Sequence, residues 1–119
     1  MKTVRVVNAS RESTLCQSCG VANNIFTRVR GLLGRTSLPE GEGLLIVPCP
    51  SIHMFGMKFP LDVIFLTREN VVTDVVENIA PGKLYVGKSL QGKVHGALEL
   101  PAGTISRTGT ARGDKLTIE

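Results

Sequence analysis

The chain has no tryptophan and a single tyrosine, and aromatic residues fill only 4% of its 119 positions. A surface that binds single-stranded nucleic acid stacks bases on aromatic side chains beside a basic track. The 14 Lys and Arg residues outnumber the 10 Asp and Glu by enough for a formal charge of +4, but they are scattered. The densest group, Arg28, Arg30 and Arg35, is small, so the sequence argues against a nucleic-acid partner. Long apolar runs are also missing. The apolar stretches are broken by Gly, Pro or charge and fall short of the roughly 18–20 residues that cross a bilayer. No membrane insertion is expected. Met1-Lys2-Thr3-Val4-Arg5-Val6-Val7 alternates like a strand and lacks the apolar core of about 7–15 residues that marks a signal peptide. The expected location is the cytoplasm, and three cysteines in that setting do not make a disulfide framework.

Familiar catalytic signatures are absent as well. Gly31-Leu32-Leu33-Gly34-Arg35 lacks the preceding Gly and following Lys-Ser/Thr of a phosphate-binding loop, and there is no Ser-nucleophile elbow or two-His metal motif.

What the chain does have is punctuation: 13 glycines and six prolines cut it into short segments. Alternation and turn residues predict strands at Lys2–Val7, Thr14–Cys16, Gly43–Val47, Leu61–Leu66, Val71–Val76, Val94–Leu100, Gly103–Thr108 and Lys115–Ile118. One helix is predicted at about Asn24–Leu33. Asn23 or Asn24 serves as N-cap, Phe26, Val29, Leu32 and Leu33 recur at helical spacing, and Gly34 is the stop. The expected fold is mainly β within the α+β class, a compact β-sandwich or barrel of short strands with one packed helix, forming one domain over residues 1–119.

Several blocks occur together in a specific order. Arg28-Val29-Arg30-Gly31-Leu32-Leu33-Gly34-Arg35 precedes Leu38-Pro39-Glu40-Gly41-Glu42-Gly43-Leu44-Leu45; then come Ser51 to Leu66, with His53-Met54-Phe55-Gly56-Met57-Lys58-Phe59-Pro60-Leu61-Asp62 at their centre, and Leu98-Glu99-Leu100-Pro101-Ala102-Gly103-Thr104. In this order they resemble the family DUF192, a domain of unknown function. The resemblance implies a compact β-rich fold with a helix packed on it, and it implies no established reaction. The resemblance also implies that many relatives carry a signal or lipoprotein segment, which is not expected for this chain. Some have Trp-Met-x-Asn-Thr where this chain runs from His53 to Phe59, so their ligand preferences do not transfer.

The residues themselves offer a few candidates. Cys16-x-x-Cys19 with Cys49-x-x-x-His53 supplies the donor types of a tetrahedral zinc site. If extended, Cys49 and His53 lie about 13 Å apart along the backbone, so only a turn at Pro48 and Pro50 would let both reach one ion. The plainer reading is buried thiols, and neither metal nor cofactor is expected. A redox role for Cys16 and Cys19 is weaker, because the predicted helix begins several residues after the pair.

Met54, Phe55, Met57 and Phe59 can line an apolar pocket or simply fill the core. Asp62 follows Pro60 into a strand whose alternation places Leu61, Val63 and Phe65 on one face and Asp62, Ile64 and Leu66 on the other. Both faces are apolar, so the carboxylate needs a partner; Lys58, Arg30, His53 or turn N–H groups are the candidates. Glu99 shares a face with Ala97, read here as solvated.

The functional expectation is a small ligand-binding or accessory module with Arg30, His53, Met54, Met57, Lys58 and Asp62 as binding residues and an unidentified small molecule or protein as partner. The alternatives are a small hydrolase using Asp62 and His53 as acid and base, or a protein-interaction module whose basic helix face docks an acidic surface.

Overall fold

The computed structural model describes all 119 residues. Nine strands and two short helices follow in the order β1 (Thr3–Asn8), β2 (Ser13–Ala22), α1 (Ile25–Arg30), β3 (Glu42–Ile46), β4 (Ser51–His53), β5 (Leu61–Leu66), β6 (Val72–Ile79), β7 (Leu84–Val86), β8 (Gly96–Pro101), α2 (Thr104–Thr108) and β9 (Leu116–Ile118). Seven strands form one sheet in the order β6-β5-β8-β3-β2-β1-β9, and β4 and β7 form a separate ribbon. All pairings in the large sheet are antiparallel except β2 with β3.

The sheet curls into a half-barrel until its two edges touch. Val71 bridges Lys115, Val72 N donates to Asp114 O at 2.8 Å, and Leu116 N donates to Asn70 O at 2.9 Å. Edge backbone groups are thereby paired at that end.

Strand alternation sorts the core into two layers. Ile64, Leu66, Leu98, Leu100 and Leu45 enter the concave layer with Val6, Cys16, Cys19 and Ile105. Leu61, Val63, Phe65, Ala97, Leu44 and Ile46 enter the other layer with Leu32, Ile52 and Met54. The central strand β5 is buried at all six positions, as its two apolar faces require.

The expected β-rich architecture holds, with corrections. The predicted strand Gly103–Thr108 is instead helix α2, entered through Gly103 at φ 97° and closed by Gly109 at φ 71°. Glycine tolerates this left-handed backbone. Helix α1 spans six residues rather than the ten predicted. Asn24 caps it by accepting from Thr27 N at 3.0 Å, but Gly31 at φ 51° ends it before Leu32. Its expected packing stripe is split: Leu32 is buried after the helix ends, while Phe26 and Val29 stand 83% and 70% exposed. The ribbon strands β4 and β7 were not anticipated, and β2 is longer than the predicted Thr14–Cys16.

Candidate functional site

Glu99 alternates with Leu98 and Leu100 on β8 and projects on the side of Ala97, as expected, but that face is not solvated. The β4–β7 ribbon and the segment around Leu32 lie over it, and Glu99 is only 6% exposed. Its cross-strand neighbours are Leu44 on β3 and Val63 on β5, both apolar. A charge held between aliphatic side chains loses hydration without compensation. Burial accordingly pushes the Glu99 carboxyl up to about 7. The acid sits at a cleft of about 80 Å³, room for several waters or a small organic group.

The cleft is built from several elements. Helix α1 contributes Arg28, Val29 and Arg30; the turn after it contributes Leu32 and Leu33; β3 contributes Ile46; the β3–β4 loop contributes Cys49; and β4 contributes Ser51, Ile52 and His53, with Met57 beyond. Cys49 is fixed twice, by its N–H to His95 O at 2.8 Å and by its thiol, which donates to Ser51 O at 2.9 Å. Burial first, then the nearby Glu99 charge, pushes this thiol above its ordinary range, so it is not an activated nucleophile. His53 is exposed and stacks on Phe55 with ring centroids 5.2 Å apart.

Arg30, His53 and Met57 thus meet around one cleft. Met54, Lys58 and Asp62 do not join them. Met54 is fully buried in the core layer beneath the ribbon, its backbone tied to Lys83 and Gly82, and Lys58 is exposed.

Asp62 is wholly buried on the concave side, where its carboxylate accepts three backbone N–H groups: Asn78 at 2.8 Å, Gly103 at 3.1 Å and Ile105 at 2.8 Å. Of the partner types anticipated for it, turn N–H groups are the ones used. Both oxygens are committed to tying β5 to a bulge in β6 and to the start of α2. Asp62 and His53 therefore face opposite layers, and the acid–base pair of a hydrolase is not assembled. The cysteines divide the same way. Cys16 and Cys19 point into the concave core, whereas Cys49 packs against the other layer, so the anticipated Cys/His set does not converge on one point.

Glu99 is the residue that the sequence reading assigned to a solvated face and left out of the site. Its signal was available: Gly96-Ala97-Leu98-Glu99-Leu100 is apolar on both faces, just as Leu61–Leu66 is around Asp62.

The DUF192 family, described as an uncharacterized ACR, matches residues 6–118. The chain belongs to DUF192. A UPF0127 protein of Thermococcus sibiricus is 29% identical over 121 residues, covering 96% of this chain and 74% of the relative. Among solved structures, a protein of unknown function from Novosphingobium aromaticivorans superposes with a TM-score of 0.80 at 25% identity, over 97% of this chain and 83% of that one. A proposed transcription regulator from Sinorhizobium meliloti gives a TM-score of 0.80 at 27% identity, over 98% and 92%. This DUF192 chain contains no helix long and apolar enough to cross a membrane.

Proposed function

We propose that this DUF192 chain works as one domain that binds a small molecule in the cleft over Glu99, without an activated nucleophile. One observation carries the reading: Glu99 is the buried acid that no protein group satisfies. Asp74 accepts from Tyr85 Oη and Lys88 N, and Asp114 accepts from Asn8, Arg11 and Ala111, while Asp62 has its three backbone donors. Glu99 accepts no hydrogen bond, yet no fully enclosed side-chain polar atom lacks a partner, so its carboxyl oxygens open onto the cleft. A ligand that donates to these oxygens meets an acid for which no protein donor competes, and only cleft water has to be displaced. Arg30, His53 and Met57 are binding residues in this reading, with Arg28, Cys49 and Glu99 added.

A cytoplasmic location is part of the proposal, supported by three cysteines that are all free thiols. The test is a thermal-shift screen of metabolites and short saccharides with the parent protein and Glu99→Gln. Stabilisation of the parent and not of the variant is the expected result. Stabilisation by no compound, or equal stabilisation of both proteins, refutes the reading.

A second reading, docking of an acidic protein surface on α1, has its own support in exposed Ile25, Phe26 and Val29 beside Arg28 and Arg30. Loss of a pulled-down partner on Phe26→Ser and in high salt would favour it over ligand binding.

A further inference from the structure

We propose that the cleft over Glu99 takes a primary ammonium group carried on a short apolar body, with the Glu99 carboxylate as its counter-ion. The inference rests on the ligand-binding reading above and names its chemistry.

The cleft sets one buried acid among the buried side chains of Leu32, Ile46 and Ile52, while Arg28, Arg30 and His53 on its lining are exposed. A polyhydroxylated ligand needs polar partners on several sides, and beside Glu99 the buried lining residues are aliphatic. A carboxylate ligand would bring like charge against Glu99 at about pH 8, above the acid's midpoint of about 7. An ammonium gives the carboxylate a charge-assisted N–H donor, keeps its other N–H groups for water in the cleft, and leaves its alkyl carbons against aliphatic walls. The cleft's volume of about 80 Å³ accommodates a body of a few carbons.

No protein cation competes for the position. Arg28 and Arg30 line the cleft from α1, but neither forms an ion pair with Glu99. Both are solvent-exposed, so salt weakens their charge most at the distance of a group paired with Glu99 and least at the mouth. Their charge at the mouth disfavours a second cationic group, so monoamines should bind better than diamines of equal length.

The groups facing Glu99 from the packed elements are Arg28 and Arg30 on α1, Cys49 on the β3–β4 loop and His53 on β4. Only the ionised carboxylate pairs with an ammonium, so affinity should rise about tenfold per pH unit up to the Glu99 midpoint and then level off. His53 lines the same cleft, which makes His53→Gln the necessary control.

The experiment is an amide NMR titration of the full chain with n-butylamine, 1,4-diaminobutane, sodium butyrate and 1,2-butanediol at about pH 8 and about pH 5. Butylamine should shift Glu99, Cys49 and Ile46 saturably at the higher pH, bind at least tenfold more weakly at the lower, and outcompete the diamine. Glu99→Gln should abolish this response, and His53→Gln should keep the pH profile. If Glu99→Gln does not fold, the carboxyl carbon of Glu99 in the parent replaces it: butylamine must lower its titration midpoint, and an unmoved midpoint overturns the proposal. Butyrate or butanediol binding in place of butylamine overturns the ammonium assignment and leaves a ligand site standing. Butylamine shifts that persist in a folded Glu99→Gln variant also overturn it. Failure of all four probes sinks the ammonium assignment, and the broader reading falls with it only if the metabolite screen is empty too.

Discussion

Glu99→Gln should make the protein more stable at alkaline pH, although it removes a buried charge-bearing side chain. The carboxyl is pushed from the ordinary 4.5 to about 7 in the folded chain, so the native state holds a proton that the unfolded state has released over that interval. Stability therefore falls as pH rises from about 4.5 through about 7, the reverse of the usual acidic residue. At about 1.4 kcal/mol per unit, the penalty at pH 8 is on the order of 2–4 kcal/mol. Glutamine keeps the shape of the protonated acid and never ionises, so it escapes the penalty. Urea melts at about pH 4.5 should place variant and parent within ~0.5 kcal/mol of each other. At about pH 8 the variant should lead by roughly 2–4 kcal/mol, or some 6–16 °C in thermal melting for a chain of this size. Equal melts of the two proteins at both pH values would show that burial does not push the Glu99 carboxyl up in the folded chain.

Asp62→Ala should destabilise by about 2–4 kcal/mol in a urea melt, because it strands three backbone donors, including the buried N–H of Ile105. Gly43→Ala should cost about 1–3 kcal/mol by the same assay: a β-carbon there would lie 2.8 Å from the carbonyl oxygen of Glu99 and 3.1 Å from Cys16 Sγ, and β3 cannot move away from β8 without breaking the ladder. Phe26→Ser should leave the melting midpoint within about 0.5 kcal/mol of the parent, since the ring is 83% exposed; a larger loss would mean that α1 packs in solution.

Strands with two apolar faces were legible because their pattern needs no knowledge of neighbours. Leu61–Leu66 could only be central, and it is flanked by β6 and β8. Asn24 was equally legible, since a capping side chain acts on its own helix turn. What failed were segments decided by partners far along the chain. Gly103–Thr108 alternates well enough for a strand, yet Asp62, more than forty residues away, accepts from Gly103 N and Ile105 N at the start of the helix that forms there. The stripe of α1 looked like a packing face, yet Gly31 ends the helix one residue before Leu32 can align with Phe26 and Val29.

The two central acids show the same limit at the site itself. Asp62 and Glu99 occupy equivalent sequence settings, one acid in a strand with apolar residues on both faces, and the chain gives them opposite roles. Beside Asp62, a bulge in β6 turns Asn78 to φ 52°, and Gly103 adopts a left-handed backbone; together they aim amide N–H groups at its carboxylate. Beside Glu99, β3 and β5 run in regular register, so their amides are spent on the ladder and none is left for the side chain. An acid in irregular surroundings is pinned as scaffold. An acid flanked by regular strands on both sides keeps its oxygens free, and in this chain those oxygens open onto the one cleft it shares with Arg28, Arg30 and His53.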